Sequence, residues 1–274
     1  MEVREKYRPF TGDSDTSVRL GIEPLVLVLC QVRWPSLTPL DSEEKLREAA
    51  SRFGEAMDGY PLVSQAKSIN YVITPEGVTA SETGSVHQWG TVDGAWHVSL
   101  SNNYVSLYST QYEGYDDLKT RLSAVLESLR DVLKLPLVDR VGMRYVNRLS
   151  AEQDIKNLRS LVRPEVLGLR ALDSSHLLNS TNLATYNVDG ALLQVRSGML
   201  APDQTVDPVI ASVPGESWVL DLDASQEVRQ SLDVDEVAKL ASRMSDIAYD
   251  YFKSIATESF ISRFAPREQD CDNA

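Results

Sequence analysis

Hydrophobic positions along this chain switch repeatedly between a period of two and a period near 3.6, the signatures of strands and helices. The β-branched run PLVLVLCQVRWP at 24–35 is bounded by prolines and predicts a strand, well buried at its start. The segment DSEEKLREAASRFGEAM at 41–57 predicts a helix with Leu46, Ala49, Ala50, Phe53 and Met57 on one stripe. Asp41, with Glu44 three residues on, has the form of a capping box, and DGYP at 58–61 ends the pattern. Strands follow at SINYVITPEG (68–77), VHQWGTVDG (86–94) and AWHVSLSNNYVSLYST (95–110). A hairpin turn is predicted at Asp93-Gly94 and another turn at Asn102-Asn103. Asp116 then precedes a long helix through Leu118, Leu122, Val125, Leu126, Leu129 and Leu133.

The second stretch of chain repeats this order. LPLVDRVGMRYVNRLS (135–150) predicts a strand, and 151–168 a short helical pattern interrupted by Pro164. Residues 171–183 read as a polar loop, and TYNVDGALLQVRSGML (185–200) as a hairpin about Asp189-Gly190. The proline-rich segment 201–217 reads as an exposed connection, and SWVLDLDAS (217–225) as a strand. A last helix is expected from Asp233 or Asp235 to about Phe264. The fold class implied is α+β, with internal duplication of a strand–helix–antiparallel strands–helix unit and a sheet covered by long helices. The boundaries expected are a flexible arm at 1–20, α+β halves at 21–134 and 135–265, and a disordered tail at 266–274.

Composition narrows the class. The chain has 274 residues, 42% of them hydrophobic and 24% charged, so a wholly disordered protein is excluded. A net charge of -13 argues against coating a polyanion. Two cysteines, Cys30 and Cys271, cannot form a disulfide-rich scaffold, and a reducing compartment, the cytoplasm, is the plain reading. The charged start lacks an apolar signal region, and the run at 24–30 is far too short to span a membrane.

Signals for catalysis are sparse. His87 and His97 flank the Asp93-Gly94 turn and are expected on adjacent strands, but no HxxxH or CxxC spacing supplies further zinc ligands. His176 sits beside Ser174 and Ser175 in a polar loop. Cys30 falls in an apolar strand, where a thiol is usually a small hydrophobe. There is no GxSxG elbow, no GxxxxGK[ST] loop and no GxGxxG. No cofactor is implied. The aromatic stretch 86–117 contains no Lys or Arg, which favours core packing over a nucleic-acid platform.

Charge is segregated. Residues 203–250 hold 11 acidic and 3 basic side chains. Within them, period two puts Asp221 and Asp223 on one strand face, a weak candidate for metal binding if other oxygen ligands converge. The strongest polar constellation is basic. In DRVGMRYVNRL, the same period aligns Arg140, Gly142, Arg144, Val146 and Arg148 on one face. Arg33 and Arg196, near the ends of other strands, can join this stripe across a sheet. Arginine forks suit phosphates and carboxylates. Three fates are open for them: internal salt bridges to the acidic segment, a site for an anionic ligand or nucleic acid, or a protein interface. Gly142 in mid-strand marks a bulge or a close approach.

The leading strand PLVLVLCQVRWP, Phe53 with Tyr60-Pro61, VSLYSTQYEGYDDL at 105–118 and above all DRVGMRYVNRL at 139–149 resemble a sporadically distributed family of bacterial proteins. Its usual patterns are of the type PLVEAVCEVRF, YxGWxxF and RIGLRYVNRI. Tyr115 and Leu118 stand where that family's pattern has Trp and Phe. The resemblance implies a cytoplasmic bacterial protein, compatible with accessory or defence-associated loci. It implies no reaction, cofactor or catalytic residue.

Two functions follow as expectations. One is a non-enzymatic interaction or scaffold module acting as a homodimer or with a protein partner, through the last helix or exposed strand edges. The other is an enzyme or sensor holding a small anionic ligand such as a nucleotide with Arg33, Arg140, Arg144, Arg148 or Arg196. Nucleic acid is a lesser expectation, and no membrane is expected.

Overall fold

A computed structural model describes residues 6–13, 18, 20, 24–74, 77–168 and 179–266. His176, Cys271 and residues 267–274 of the expected tail lie outside the described residues. The first half of the chain forms β1 (Leu25–Arg33), α1 (Glu43–Ala56), β2 (Leu62–Thr74), β3 (Gly77–Gly90), β4 (Trp96–Leu100), β5 (Tyr104–Ser109) and α2 (Tyr115–Leu133). The second forms β6 (Val138–Leu149), the short helices α3 (Glu152–Lys156) and α4 (Leu158–Leu161), β7 (Asn182–Val188), β8 (Ala191–Leu200), β9 (Ser217–Gln230), α5 (Val234–Ile255) and α6 (Glu258–Arg263).

The nine strands among the described residues join one antiparallel sheet in the order β2-β3-β4-β5-β1-β6-β9-β8-β7. The α+β class is therefore realised as one continuous sheet rather than two. β1 and β6 pair at its centre. Each is flanked on its outer side by the last strand of its own half, and the earlier strands step outward to the two edges.

The helices gather on one face. α5 packs on β6, β8 and β9, α2 on α5, and α1 on α2 and β3. Alternation in β6 explains this: Val141 and Met143 point into the shared core with Phe53, Leu126, Met244 and Ile247, while Tyr145 bonds Ser245 of α5. The arginines of β6 take the opposite, open face. Removing one such fully buried side chain, Met143 for example, leaves a cavity and costs about 2–5 kcal/mol.

Local chemistry accounts for the element ends. The turn at Asp189-Gly190 has φ of 48° and 83°, the left-handed pair that a tight hairpin needs. Asp233 caps α5, accepting from the Glu236 N–H at 3.0 Å. The last helix does not run unbroken to Phe264: α5 ends at Ile255, and Thr257 caps a separate α6, accepting from Phe260 N–H. α1 is capped by Ser42 rather than Asp41, which instead pairs with Lys45. Asp41 lies one residue too early for its carboxylate to serve the first turn.

Residues 6–13 show no periodicity, yet they are tied to α5. The fully buried Asp250 accepts from the N–H groups of Phe10 and Thr11, and Asp246 accepts from Tyr7 N–H. Phe10 packs edge-on against Tyr186 and Tyr251. No helix among the described residues is long and apolar enough to cross a membrane.

Candidate functional site

The open face is where polar chemistry collects. Its order comes from register. Arg144 stands opposite Asp223 in the β6–β9 ladder, and Arg196 opposite Asp221 in the β8–β9 ladder. Diagonal neighbours in such ladders lie within reach of long side chains. Arg144 accordingly reaches Asp221 as a fork: Nε donates to Oδ1 at 2.8 Å and Nη2 to Oδ2 at 2.9 Å. Its remaining arm, Nη1, donates to Asp207 at 2.6 Å. Burial disfavours the Arg144 charge, but the hydrogen bonds and charges of Asp221 and Asp207 outweigh it and raise the pKa further. Arg196 adds a weaker contact to Asp221 at 3.4 Å.

Arg140 lies flat on the sheet. It donates to Gln31 at 3.2 Å and to Asp223 at 3.4 Å. A Cβ at Gly142 would sit 3.0 Å from Arg140 Nη1, so the mid-strand glycine makes room for the guanidinium. Asp223 is held above the usual carboxylate range because burial penalises its charge, although Arg140 and Arg144 pull the other way.

Arg148 has a different fate. It is only 6% exposed and among the described residues meets no carboxylate; Nε donates to Ser217 Oγ, Nη1 to the Ala211 carbonyl and Nη2 to the Gln204 carbonyl. Burial lowers its pKa. Those two carbonyls belong to the connection 201–216, which is therefore not simply exposed. It crosses the open face as a strap. Ile210 is buried with Leu27, Tyr108 and Val146, and Asp207 lies on Arg144. Proline and turn residues dominate the strap sequence, and its anchors, Ile210 and Val206 on the apolar cluster and Asp207 on Arg144, are scattered among them.

The sequence candidates thus separate into three places. Arg144, Arg196, Asp221 and Asp223 line a shallow pocket of about 300 Å³ with Leu183, Gln194 and Val206. Arg33 and Arg140 line a larger cleft of about 570 Å³ at the end of β1, β6 and β9, together with Arg229, which sequence reasoning missed. Arg148 lies under the strap. Arg229 carried no signal because it alternates with Glu227 on a strand whose acidic residues dominated the pattern.

Metal and nucleophile candidates are not assembled. Asp221 and Asp223 are neutralised by guanidinium groups, and among the described residues no group of three or more His, Cys, Asp or Glu is placed to hold a metal ion. His87 and His97 do not face each other. His87 is opposite Leu100, while His97 is opposite Gly90 and stacks on Tyr108. The Cys30 thiol is fully buried, which pushes its pKa up to about 12 and leaves it protonated and inert. Trp89 and Trp96 are core residues, not an exposed platform.

No family model matches the chain, and neither a curated protein nor a solved structure matches it.

Proposed function

We propose that this protein is a non-enzymatic interaction module that pairs with a second copy of itself through the β7 edge of its sheet. One observation carries the reading. β7, sequence NLATYNV, is an outermost strand with five consecutive exposed residues, no charge, no proline and no register shift. Edges are normally blunted by charges, prolines or bulges, and among the described residues β7 carries none of these and pairs only with β8. Leu183 is 63% exposed on it and Tyr186 38%. Antiparallel pairing of the same strand from two copies satisfies both rows of backbone groups and closes under a two-fold axis.

The internal neutralisation of Arg144 and Arg196 supports this reading over a sheet-face anion site. The last helix, the other expected contact, is committed to the core through Val237, Ala241, Met244, Ile247 and Ala248. The matched order of elements about the β1–β6 pair supports an origin of the two halves by internal duplication, and the buried free Cys30 fits a reducing, cytoplasmic location.

The test is native mass spectrometry of the wild type, Thr185→Lys and Thr185→Pro. The expected result is a wild-type dimer and monomeric variants with unchanged circular dichroism. A monomeric wild type, or a dimer indifferent to both substitutions, overturns the reading.

A second reading, a sensor or enzyme for a small anion, is favoured by the pocket at Arg144, Arg196, Asp221 and Asp223. It requires the ligand to displace Asp207 from Arg144, because that carboxylate already occupies the guanidinium's outward arm.

A further inference from the structure

The cleft at the end of β1, β6 and β9 differs from the neighbouring pocket in one respect: two of its three arginines are not spent, and the third, Arg140, makes only long contacts to Asp223 and Gln31. The Arg33 and Arg229 side chains are exposed and make no hydrogen bond or ion pair among the described residues. Arg33 stands opposite Arg140, and Arg140 opposite Glu227, two residues before Arg229. Three guanidinium groups from three adjacent strands therefore border one concavity. Arg140 is fixed in place by Gln31, by a 3.4 Å contact to Asp223 and by its seat over Gly142.

The other walls complement this charge. Pro35, Leu137 and Val228 give an apolar side, and Asp139 and Glu227 give acceptors. The Oδ1 atom of Asp139 is buried with no hydrogen-bond partner among the described residues. Such an atom forfeits solvation and calls for a donor. The cleft volume, about 570 Å³, falls in the range that encloses small molecules.

We propose that this cleft binds a phosphomonoester that also carries hydroxyl donors. Arg33, Arg140 and Arg229 hold its phosphate, and Asp139 accepts from a hydroxyl. Arginine fits this task because its planar fork donates two parallel bonds to a phosphate. A sugar phosphate brings several hydroxyl donors beside its phosphate to the carboxylates that line the cleft, which a bare inorganic anion does not. The site lies away from β7, so the proposal stands or falls separately from self-association.

The experiment is isothermal titration calorimetry of the full chain with ribose 5-phosphate, and with inorganic phosphate as the comparison. Arg33→Ala/Arg229→Ala is the test variant and Arg196→Ala, which lines the other pocket, the control. Thermal unfolding confirms that each variant is folded. The expected result is saturable binding of ribose 5-phosphate, tighter than that of inorganic phosphate. The double variant should bind about tenfold more weakly or worse, since two charge-assisted contacts are lost, and Arg196→Ala should be unchanged. Absence of saturable binding, equal loss in Arg196→Ala, or full affinity in the double variant overturns the proposal.

Discussion

Arg144 and Asp221 meet as a two-point fork on the open face of the sheet, with both bonds at 2.8–2.9 Å and the Asp221 side chain only 5% exposed. In this setting neither charge has enough water to stand alone. Removing one partner from such a pair leaves the other buried and uncompensated, which costs more than the pair itself contributes. Asp221→Asn should therefore destabilise the protein by about 2–4 kcal/mol, moderated because Asp207 still holds one arm of Arg144. Urea denaturation followed by tryptophan fluorescence measures it. An Asp221→Asn midpoint equal to wild type would show that the fork contributes nothing.

Asp223 should behave in the opposite way, although it lies only two residues along β9. Burial raises its pKa above the ordinary 3.8. A carboxyl that binds its proton more tightly when folded stabilises the fold below its unfolded pKa, and that contribution is lost as pH rises through the folded value. Above that value wild type carries the cost of a buried charge, which an amide avoids. Asp223→Asn should thus gain stability relative to wild type as pH rises through the raised pKa, and show the smallest difference below pH 3.8. Chemical denaturation across pH 3–8 checks the sign. A variant losing ground with rising pH would mean that the Arg140 contact dominates.

The strap depends on Arg148. Its guanidinium holds the Gln204 and Ala211 carbonyls, and no carboxylate among the described residues shares the task. Arg148→Met keeps the packing of the stem but removes every donor. The expected outcome is faster limited proteolysis within 201–216 and a stability loss of about 2–3 kcal/mol. Ile210→Ala should open the same segment by removing its apolar anchor against Leu27, Tyr108 and Val146. Unchanged cleavage in both variants would show that the strap is held by other contacts.

Much of this arrangement is legible in the sequence, for identifiable reasons. Period two in DRVGMRYVNRL fixes which side of β6 the arginines take, because its pairing with β9 keeps one register from Arg140 to Leu149. Asp189-Gly190 marks its hairpin because few residue pairs tolerate two positive φ angles. Register between distant strands is another matter. Nothing local in β8 or β9 says that Arg196 will face Asp221; that follows only once nine strands share one sheet. The same is true of His87 and His97, which flank one turn but end up opposite Leu100 and Gly90. Anchored irregular segments are the least legible. Residues 6–13 and the strap have no period to read, and their order comes from single buried contacts, Asp250 for one and Arg148 with Ile210 for the other.

Amide hydrogen exchange of residues 182–188 along a dilution series checks whether the β7 edge joins two copies. An edge strand in a free monomer leaves half of its amides open to solvent, whereas pairing protects them. The account predicts slow exchange across β7 at high protein concentration that accelerates on dilution, while the interior segment 218–224 of β9 stays protected throughout. Fast exchange of β7 at every concentration would contradict it.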